Sequence, residues 1–171
     1  MSIDNKRELL IAEVPRLRRY AIALLRDRPS ADDLVQDVVL RALGRLHLWR
    51  AGTNMRTWLF TIMHNLHANE MRRRSRMRDN RQIDPDLPER GEAANQEHVV
   101  ELRQLADALA RLPEAQSEIL LLVGLEGLTY AETAEVLSVP VGTVMSRVSR
   151  AREGLRRLIG GENEPHLRRV K

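Results

Sequence analysis

The stretch Leu128–Arg157, LTYAETAEVLSVPVGTVMSRVSRAREGLRR, decides the fold of the C-terminal part of the chain. Its first half predicts a short helix, because Thr129 and Glu132 have the spacing of a capping box. The corner S-V-P-V-G at residues 138–142 ends that helix. Pro140 suits the start of the next helix, where its missing N–H costs little. The stretch therefore predicts two helices joined by a tight turn.

The second of these helices has two unlike faces at 3.6 residues per turn. Its apolar stripe consists of Val144, Val148, Ala151 and Leu155. Its polar face carries Thr143, Ser146, Arg150 and Arg157. Hydroxyls and arginines on an exposed helix can contact phosphates and base edges in a DNA major groove. A hydrated surface is the alternative, but the short preceding helix and the tight turn favour a helix-turn-helix that binds DNA.

Helical periodicity continues along the rest of the chain, and no segment predicts a strand. In the N-terminal half we expect helices over residues 6–25 with an interruption at Pro15, from a cap at Ser30 to about residue 46, and over residues 55–76. In the C-terminal half we expect helices over residues 99–112 and 114–123, before the two helices of the opening stretch.

Residues 79–97 divide these two halves, because they hold prolines and many charges but few apolar residues. We therefore expect an all-α fold of two small helical domains, residues 1–78 and 98–161, joined by a flexible acidic linker and followed by a tail at residues 162–171.

Composition restricts the possible functions. The 171 residues include no cysteine, which excludes disulfides, thiolate metal sites and a cysteine nucleophile. The net charge of +4 is unevenly distributed, with arginines clustered near residues 72–81 and 147–157. Two basic patches suggest two contacts with a polyanion. The N-terminus does not resemble a secretory signal, and no apolar run is long enough to cross a bilayer, so we expect a cytoplasmic protein without membrane insertion.

Catalytic motifs are not apparent in the sequence. It contains no phosphate-binding glycine loop, GxSxG elbow or HExxH pair. His64, His67 and Glu70 follow one another at three-residue steps, but such steps rotate around a helix and no fourth ligand is evident. We therefore expect no enzymatic activity, no metal and no cofactor.

The second helix offers a possible docking surface. Its inward positions are Ala31, Val35, Val38, Ala42 and Leu46. Asp33, Gln36, Asp37 and Leu40 lie on the opposite side, and a leucine with a polar rim is typical of an interface centre. Single exposed leucines are nevertheless common.

The third helix and the loop before it combine aromatic, amide and basic residues, which suit single-stranded nucleic acid. Its spacing predicts that Trp58, Leu59, Ile62 and Leu66 are buried and that Thr57, Thr61 and His64 point outward. The spacing does not decide whether Trp49 and Phe60 are core residues or stacking surfaces.

Three segments together resemble a known family. ADDLVQDVVLRAL from Ala31, TNMRTWLFTIMHNLHANEMRRRSR from Thr53 and LTYAETAEVLSVPVGTVMSRVSRARE from Leu128 are similar, in order and spacing, to bacterial sigma factors of the extracytoplasmic-function (ECF) type. The resemblance covers nearly the whole chain except the linker and the tail. The sequence from Gly52 to Phe60 is similar to that of the general-stress sigma factors of alphaproteobacteria.

The resemblance implies a dissociable initiation subunit of RNA polymerase with sigma2 and sigma4 domains. Its partners would be core RNA polymerase, promoter DNA and an anti-sigma factor that holds it, and it would act in a stress or envelope response. The protein would be monomeric when free and 1:1 with the anti-sigma factor. The acidic linker would thread a polymerase channel.

The resemblance also implies residue roles. The core-polymerase surface would comprise Asp33, Leu34, Gln36, Asp37, Leu40 and Arg41. The minus-10 element would be bound by Trp49, Asn54, Trp58, His64, Asn65, Arg72, Arg73 and Arg74, with a flipped base held in a loop pocket. The minus-35 element would be bound by Thr143, Ser146, Arg147 and Arg150. Met145 stands where the family often has lysine, so one phosphate contact is in doubt.

Two other functions fit parts of the sequence. A conventional repressor or activator would bind a palindromic operator as a dimer, without polymerase. A sigma mimic that titrates an anti-sigma protein would need no DNA-contacting residues, so the basic helices argue against it.

Overall fold

The computed structural model describes residues 2–78 and 98–160, and every regular element within these ranges is helical. The elements are α1 (Ile3–Leu25), α2 (Arg28–Gly44), α3 (Met55–Arg78), α4 (His98–Arg111), α5 (Glu114–Leu120) with the π-turn Leu121–Leu125, α6 (Tyr130–Leu137) and α7 (Val141–Gly160). The all-α prediction is confirmed. The expected linker, residues 79–97, and the expected tail, residues 162–171, lie outside the described residues.

Helix α1 begins at Ile3, where Ser2 accepts a hydrogen bond from the N–H of Asn5. The predicted interruption at Pro15 is wrong, because the helix runs through this residue to Leu25. Proline removes one backbone hydrogen bond, but here the ring is exposed and both halves of the helix are held by buried side chains. These are Leu10, Leu17, Tyr20, Ala21 and Leu24.

Helix α2 begins earlier than predicted. Its N-cap is Asp27 rather than Ser30, and the Asp27 carboxylate accepts from the N–H of Ser30 at 2.9 Å. Pro29 is tolerated in the first turn, where no intrahelical donor is needed. Hydrogen bonds from Ser30 lower the pKa of the Asp27 carboxyl. The predicted inward stripe is confirmed, with Ala31, Val35, Val38, Ala42 and Leu46 all buried.

Helix α3 starts at a side-chain cap, since Asn54 Oδ1 accepts from the N–H groups of Arg56 and Thr57. Leu59 and Ile62 are buried as predicted, whereas Trp58 and Leu66 are only half-buried. The prediction that Thr57 points outward is wrong, because this residue is 2% exposed. Helix α3 packs on α1 and α2 and also contacts α6, so its second face is covered as well.

The C-terminal hairpin has the predicted architecture. Thr129 Oγ1 accepts from the N–H of Glu132, and the Glu132 carboxylate accepts from the N–H of Thr129 at 2.8 Å, which completes the capping box. That N–H lowers the pKa of the Glu132 carboxyl. Helix α6 ends at Leu137, and its C-cap Ser138 adopts the left-handed conformation with φ 53°.

Helix α7 packs through the predicted stripe. Val144, Val148 and Ala151 are buried, and Leu155 is half-buried. Gly154 allows close packing, because a Cβ at this position would lie 2.9 Å from Cδ2 of Leu112. The helix expected over residues 114–123 ends earlier, at Leu120, and continues as the π-turn Leu121–Leu125.

The two helical domains contact each other. Helix α3 lies against α6, and α1 contacts the π-turn. Tyr20 is fully buried and makes an edge contact with Phe60, with ring centroids 5.0 Å apart. Burial raises the pKa of the Tyr20 hydroxyl well above its usual value, and the carboxylates of Glu118 and Glu126 add to this shift. The C-terminal domain thus covers part of the N-terminal domain.

Replacing Thr129 with alanine removes the hydroxyl of the capping box. We expect Thr129→Ala to lower the free energy of unfolding by about 1 kcal/mol, because one N–H at the start of α6 loses its acceptor. Urea denaturation followed by circular dichroism measures this change. Ser149→Ala, an exposed substitution on α7, should change the free energy by less than about 0.5 kcal/mol. Equal effects of the two substitutions would contradict the assigned capping role.

Candidate nucleic-acid interface

The exposed face of α7 carries the residues expected to contact DNA. Ser146 and Arg150 are exposed, and Thr143 and Arg147 are half-buried. Ser146 Oγ donates to the carbonyl of Thr143 at 3.0 Å, and Arg150 Nε donates to the carbonyl of Ser146 at 3.3 Å. These bonds align the side chains along the helix. The face therefore presents hydroxyl and guanidinium groups on a rigid element, as the sequence predicts.

Apolar atoms also belong to this face. Met145 is 55% exposed, and Val141, four residues earlier, is exposed beside it. Residues four apart on a helix are neighbours. An apolar contact at this place suits a thymine methyl group in a major groove.

A second basic surface lies at the end of α3. Arg73 and Arg74 both pair with Glu70 at 2.9 Å, and Arg72 donates to Asn69. The guanidinium groups of Arg73 and Arg74 lower the pKa of the Glu70 carboxyl. All three arginines are exposed, and exposed pairs contribute only about 0–1 kcal/mol. Their guanidinium groups can therefore exchange Glu70 for a phosphate at small cost.

The loop between α2 and α3 is tied to α1. Lys6 Nζ donates to the carbonyl of Trp49 at 2.8 Å and lies 5.6 Å from the centre of its ring. Trp49 is 4% exposed, so the expectation that this ring contacts minus-10 DNA does not fit its placement. The Trp49 ring anchors the loop instead, because it packs in the hydrophobic core and Lys6 lies over it.

The remaining residues expected at the minus-10 element lie along α3 and at its start. Asn65 is exposed, whereas His64 and Trp58 are partly covered. Asn54 is exposed and makes a hydrogen bond through its amide nitrogen, 2.6 Å from Glu132 Oε1 of α6. The expected set therefore occurs on one helix and its N-terminal loop, but two of its members already contact the other domain.

These contacts belong to an interdomain seam that the sequence did not predict. His64 Nδ1 lies 2.7 Å from Glu118 Oε1, His67 Nε2 lies 2.5 Å from Glu114 Oε1, and Arg19 lies 2.9 Å from Glu126. We define the seam as Arg19, Asn54, His64 and His67 of the N-terminal domain with Glu114, Glu118, Glu126 and Glu132 of the C-terminal domain. No sequence signal pairs these groups, since they lie 47–107 residues apart.

The outer face of α2 forms a separate surface. Leu40 is 60% exposed and Leu43 is also exposed. The polar residues predicted to surround Leu40 are all exposed, and they are Asp33, Gln36, Asp37 and Arg41. Leu34, which was predicted to belong to the same surface, is partly covered. A groove between this face and the end of α3 is lined by acids of α2 and by Arg73 and Arg74. An apolar centre with a mixed polar rim is suited to binding a protein.

Two further structural findings concern only the described residues. Within residues 2–78 and 98–160, no group of three or more histidines and carboxylates is arranged to hold a metal ion. His64 and His67 instead face glutamates of the other domain. In the same ranges, no helix has the length and apolar character needed to cross a membrane.

Comparisons with protein families match both domains. The family model described as "Sigma2 domain of PhyR" matches residues 10–64, and the model "Sigma-70, region 4" matches residues 102–155. The first match covers most of α1, all of α2 and the first part of α3. The second covers most of α4 and extends through the hairpin into α7, so each family region coincides with one of the two packed units.

Similar proteins cover nearly the whole chain. The ECF RNA polymerase sigma factor EcfG of Rhodopseudomonas palustris is 37% identical over 156 residues, which is 91% of this chain and 86% of that protein. The ECF sigma factor SigC of Mycobacterium tuberculosis is 42% identical over 137 residues, which is 78% of this chain and 72% of that protein.

Solved structures share this fold. The sigma factor RpoE of Bartonella quintana, in complex with the anti-sigma factor NepR, has 34% identity and a TM-score of 0.75 over 92% of this chain and 98% of that chain. CnrH in complex with the cytosolic domain of CnrY has 25% identity and a TM-score of 0.69 over 95% and 92%. Sequence motifs, fold and relatives agree: this chain belongs to the ECF family of RNA polymerase sigma factors.

Proposed function

We propose that this protein binds core RNA polymerase in the cytoplasm and directs initiation at promoters with two separated elements, without catalysing a reaction of its own. The observation that carries this proposal is the presence of two basic surfaces on two different domains, α7 and the end of α3. Two contacts on one DNA molecule give the register that promoter selection requires, since phosphate contacts position a protein and base contacts specify the sequence.

We assign α7 to the upstream, minus-35 element. Arg147 and Arg150 supply guanidinium groups, Thr143 and Ser146 supply hydroxyls, and all four lie on one side of a helix whose other side is packed. Arginine can donate two parallel hydrogen bonds to a guanine edge. Met145 adds an apolar contact where a lysine would add a phosphate contact, so we expect a thymine methyl group opposite this residue.

We assign the loop before α3 and the exposed side of α3 to the minus-10 element. Asn54, His64 and Asn65 are polar groups that can contact bases, and Arg72, Arg73 and Arg74 follow on the same helix to contact phosphates. Trp58 is half-buried and lies at the edge of this surface. Trp49 supports the loop from beneath and does not stack on a base. Unstacking a promoter base requires free energy, which these contacts must offset.

We assign the outer face of α2, centred on Leu40, to core RNA polymerase, with Asp33, Leu34, Gln36, Asp37 and Arg41 around it. An exposed leucine surrounded by charged and amide groups is unfavourable as a permanently hydrated surface and favourable at a protein interface. Neither DNA surface includes this face, so polymerase and promoter can be bound together.

We further propose an anti-sigma factor as a regulatory partner, in a 1:1 complex, and a role in a general stress response. Support comes from relatives: the Bartonella quintana structure contains a sigma factor with NepR, and the matching sigma2 model is that of PhyR. In the absence of this partner we expect a monomer.

Run-off transcription with purified core polymerase tests the function directly. On a library of genomic fragments, core polymerase supplemented with this protein should give discrete promoter-specific transcripts that core polymerase alone does not give. A protein that yields no such transcript and binds a palindromic duplex as a dimer would instead be a conventional repressor or activator.

Leu40→Asp should weaken binding to core polymerase at least about tenfold, because burying an uncompensated carboxylate at an interface costs more than about 1.4 kcal/mol. Affinity is measured by fluorescence anisotropy of labelled protein titrated with core polymerase. Ile11→Asp is the matched control, since Ile11 is similarly exposed but lies on α1. Unchanged affinity of Leu40→Asp would refute the docking face.

Arg150→Ala should reduce transcription from promoters that depend on the upstream element by about 5- to 150-fold, equivalent to about 1–3 kcal/mol. Arg156→Ala removes an exposed arginine of the same helix that pairs with Glu153, and it serves as the control. Competitive run-off assays on promoters with intact and scrambled upstream elements measure the difference. An equal loss on both promoters would show that Arg150 contributes no base readout.

A further inference from the structure

The first two turns of α7 carry two exposed apolar side chains beside the groups assigned to the minus-35 element. These are Val141 and Met145, which lie four residues apart and are therefore neighbours on the helix surface. We call them the apolar pair. When a helix enters a major groove, the residues near its N-terminus are those that contact base edges. The apolar pair therefore lies in the part of α7 where bases would be contacted.

The apolar pair does not hold the fold together. Neither side chain belongs to the hydrophobic core of the described residues, whereas Val144 and Val148 pack on the other side of the helix. A Cβ at Gly142 would meet nothing within 4 Å in the described residues beyond its own stretch of helix. Packing therefore does not require this glycine, and its missing side chain lets a ligand approach the backbone beside Met145. The surface around the pair is open to DNA.

The chemistry of the two side chains limits what they can distinguish. Valine has no polar side-chain atom, and the thioether of methionine is only a weak acceptor. In the major groove, thymine presents O4 and a C5-methyl group, whereas cytosine presents an N4 amino group and carries only hydrogen at C5. The pair gains free energy by covering a C5-methyl group. It has no strong donor or acceptor with which to distinguish O4 from the amino group.

The polar groups beside the pair supply the other contacts that binding requires. Ser146 and Arg150 are exposed on the same helix, and each donates a hydrogen bond to a carbonyl of the preceding turn. Hydroxyl and guanidinium groups contact base edges and phosphates. Met145 is unbranched and adapts its shape to the surface that it covers. Polar contacts thus hold the helix in the groove, and the apolar contact adds a dependence on one methyl group.

We propose that the apolar pair senses the C5-methyl group of one pyrimidine in the minus-35 element, and that 5-methylcytosine is accepted there in place of thymine. Methylation of a cytosine at this position would then increase use of the promoter. The inference rests on the proposed assignment of α7 to the minus-35 element. It adds a chemical modification of DNA to which this helix responds.

Base analogues that differ by one methyl group test this proposal in the complete holoenzyme. On a promoter identified by run-off transcription, each thymine of the minus-35 element is replaced in turn by deoxyuridine, which lacks only the methyl group. At one position transcription should fall about fourfold, the effect of one buried methyl-sized group. When a cytosine replaces the thymine at that position, 5-methylation of this cytosine should raise transcription by about the same factor.

Two substitutions on α7 separate a contact by Met145 from an effect of the analogues on DNA shape. Met145→Gln keeps the length of the side chain and its helix propensity but replaces the thioether with an amide. Both methyl effects should then fall below about twofold, because most of the apolar contact is lost. Ile159→Gln is the matched control, since Ile159 is also an exposed apolar residue of α7 but lies about 21 Å farther along the axis. This control should retain both methyl effects.

Three results would overturn the proposal. Transcription is unchanged by deoxyuridine at every position, or cytosine and 5-methylcytosine are used equally where thymine is preferred to deoxyuridine, or Met145→Gln retains both methyl effects. Normal promoter-specific transcripts without a methyl effect refute this inference alone. A protein that gives no promoter-specific transcript refutes the sigma function and this inference together, so the two failures are distinguishable.

Discussion

Helix α3 is covered on two sides, and the rest of the molecule depends on this packing. Its inner side lies on α1 and α2, where Phe60 meets the buried ring of Tyr20. Its other side lies against α6, and His64 on this helix lies 2.7 Å from Glu118 of α5. A single helix therefore anchors the N-terminal core and also receives the C-terminal domain. DNA binding by α3 therefore depends on the contacts that α6 makes with this helix.

The three surfaces that we propose bind polymerase and DNA differ in how accessible they are. The outer face of α2 and the exposed face of α7 lie open, with Leu40 and Met145 more than half exposed. The surface of α3 is divided: Asn65 and the arginines at its end are exposed, but Asn54 and His64 are engaged in the seam.

Buried charge makes the contacts of the seam specific. Glu118 and Glu126 are buried, and their charges add to the rise that burial causes in the pKa of the Tyr20 hydroxyl. Breaking one partner of a buried pair is costly, whereas separating the whole interface returns every charge to water.

Local pattern alone determined much of this protein. The capping box at Thr129, the stripe Val144–Ala151 and the inward face of α2 follow from helical spacing and capping chemistry, which act over a few residues. The same reasoning failed at Pro15 and at the start of α2, because tertiary burial carries a helix through a proline and Asp27 offers an earlier cap. Three sequence motifs in the expected order and spacing were enough to identify the family. Only the tertiary structure decided that Trp49 and Thr57 are buried and that glutamates of one domain face the histidines of the other. Those contacts join residues far apart in the chain, and helical periodicity contains no information about which two faces meet.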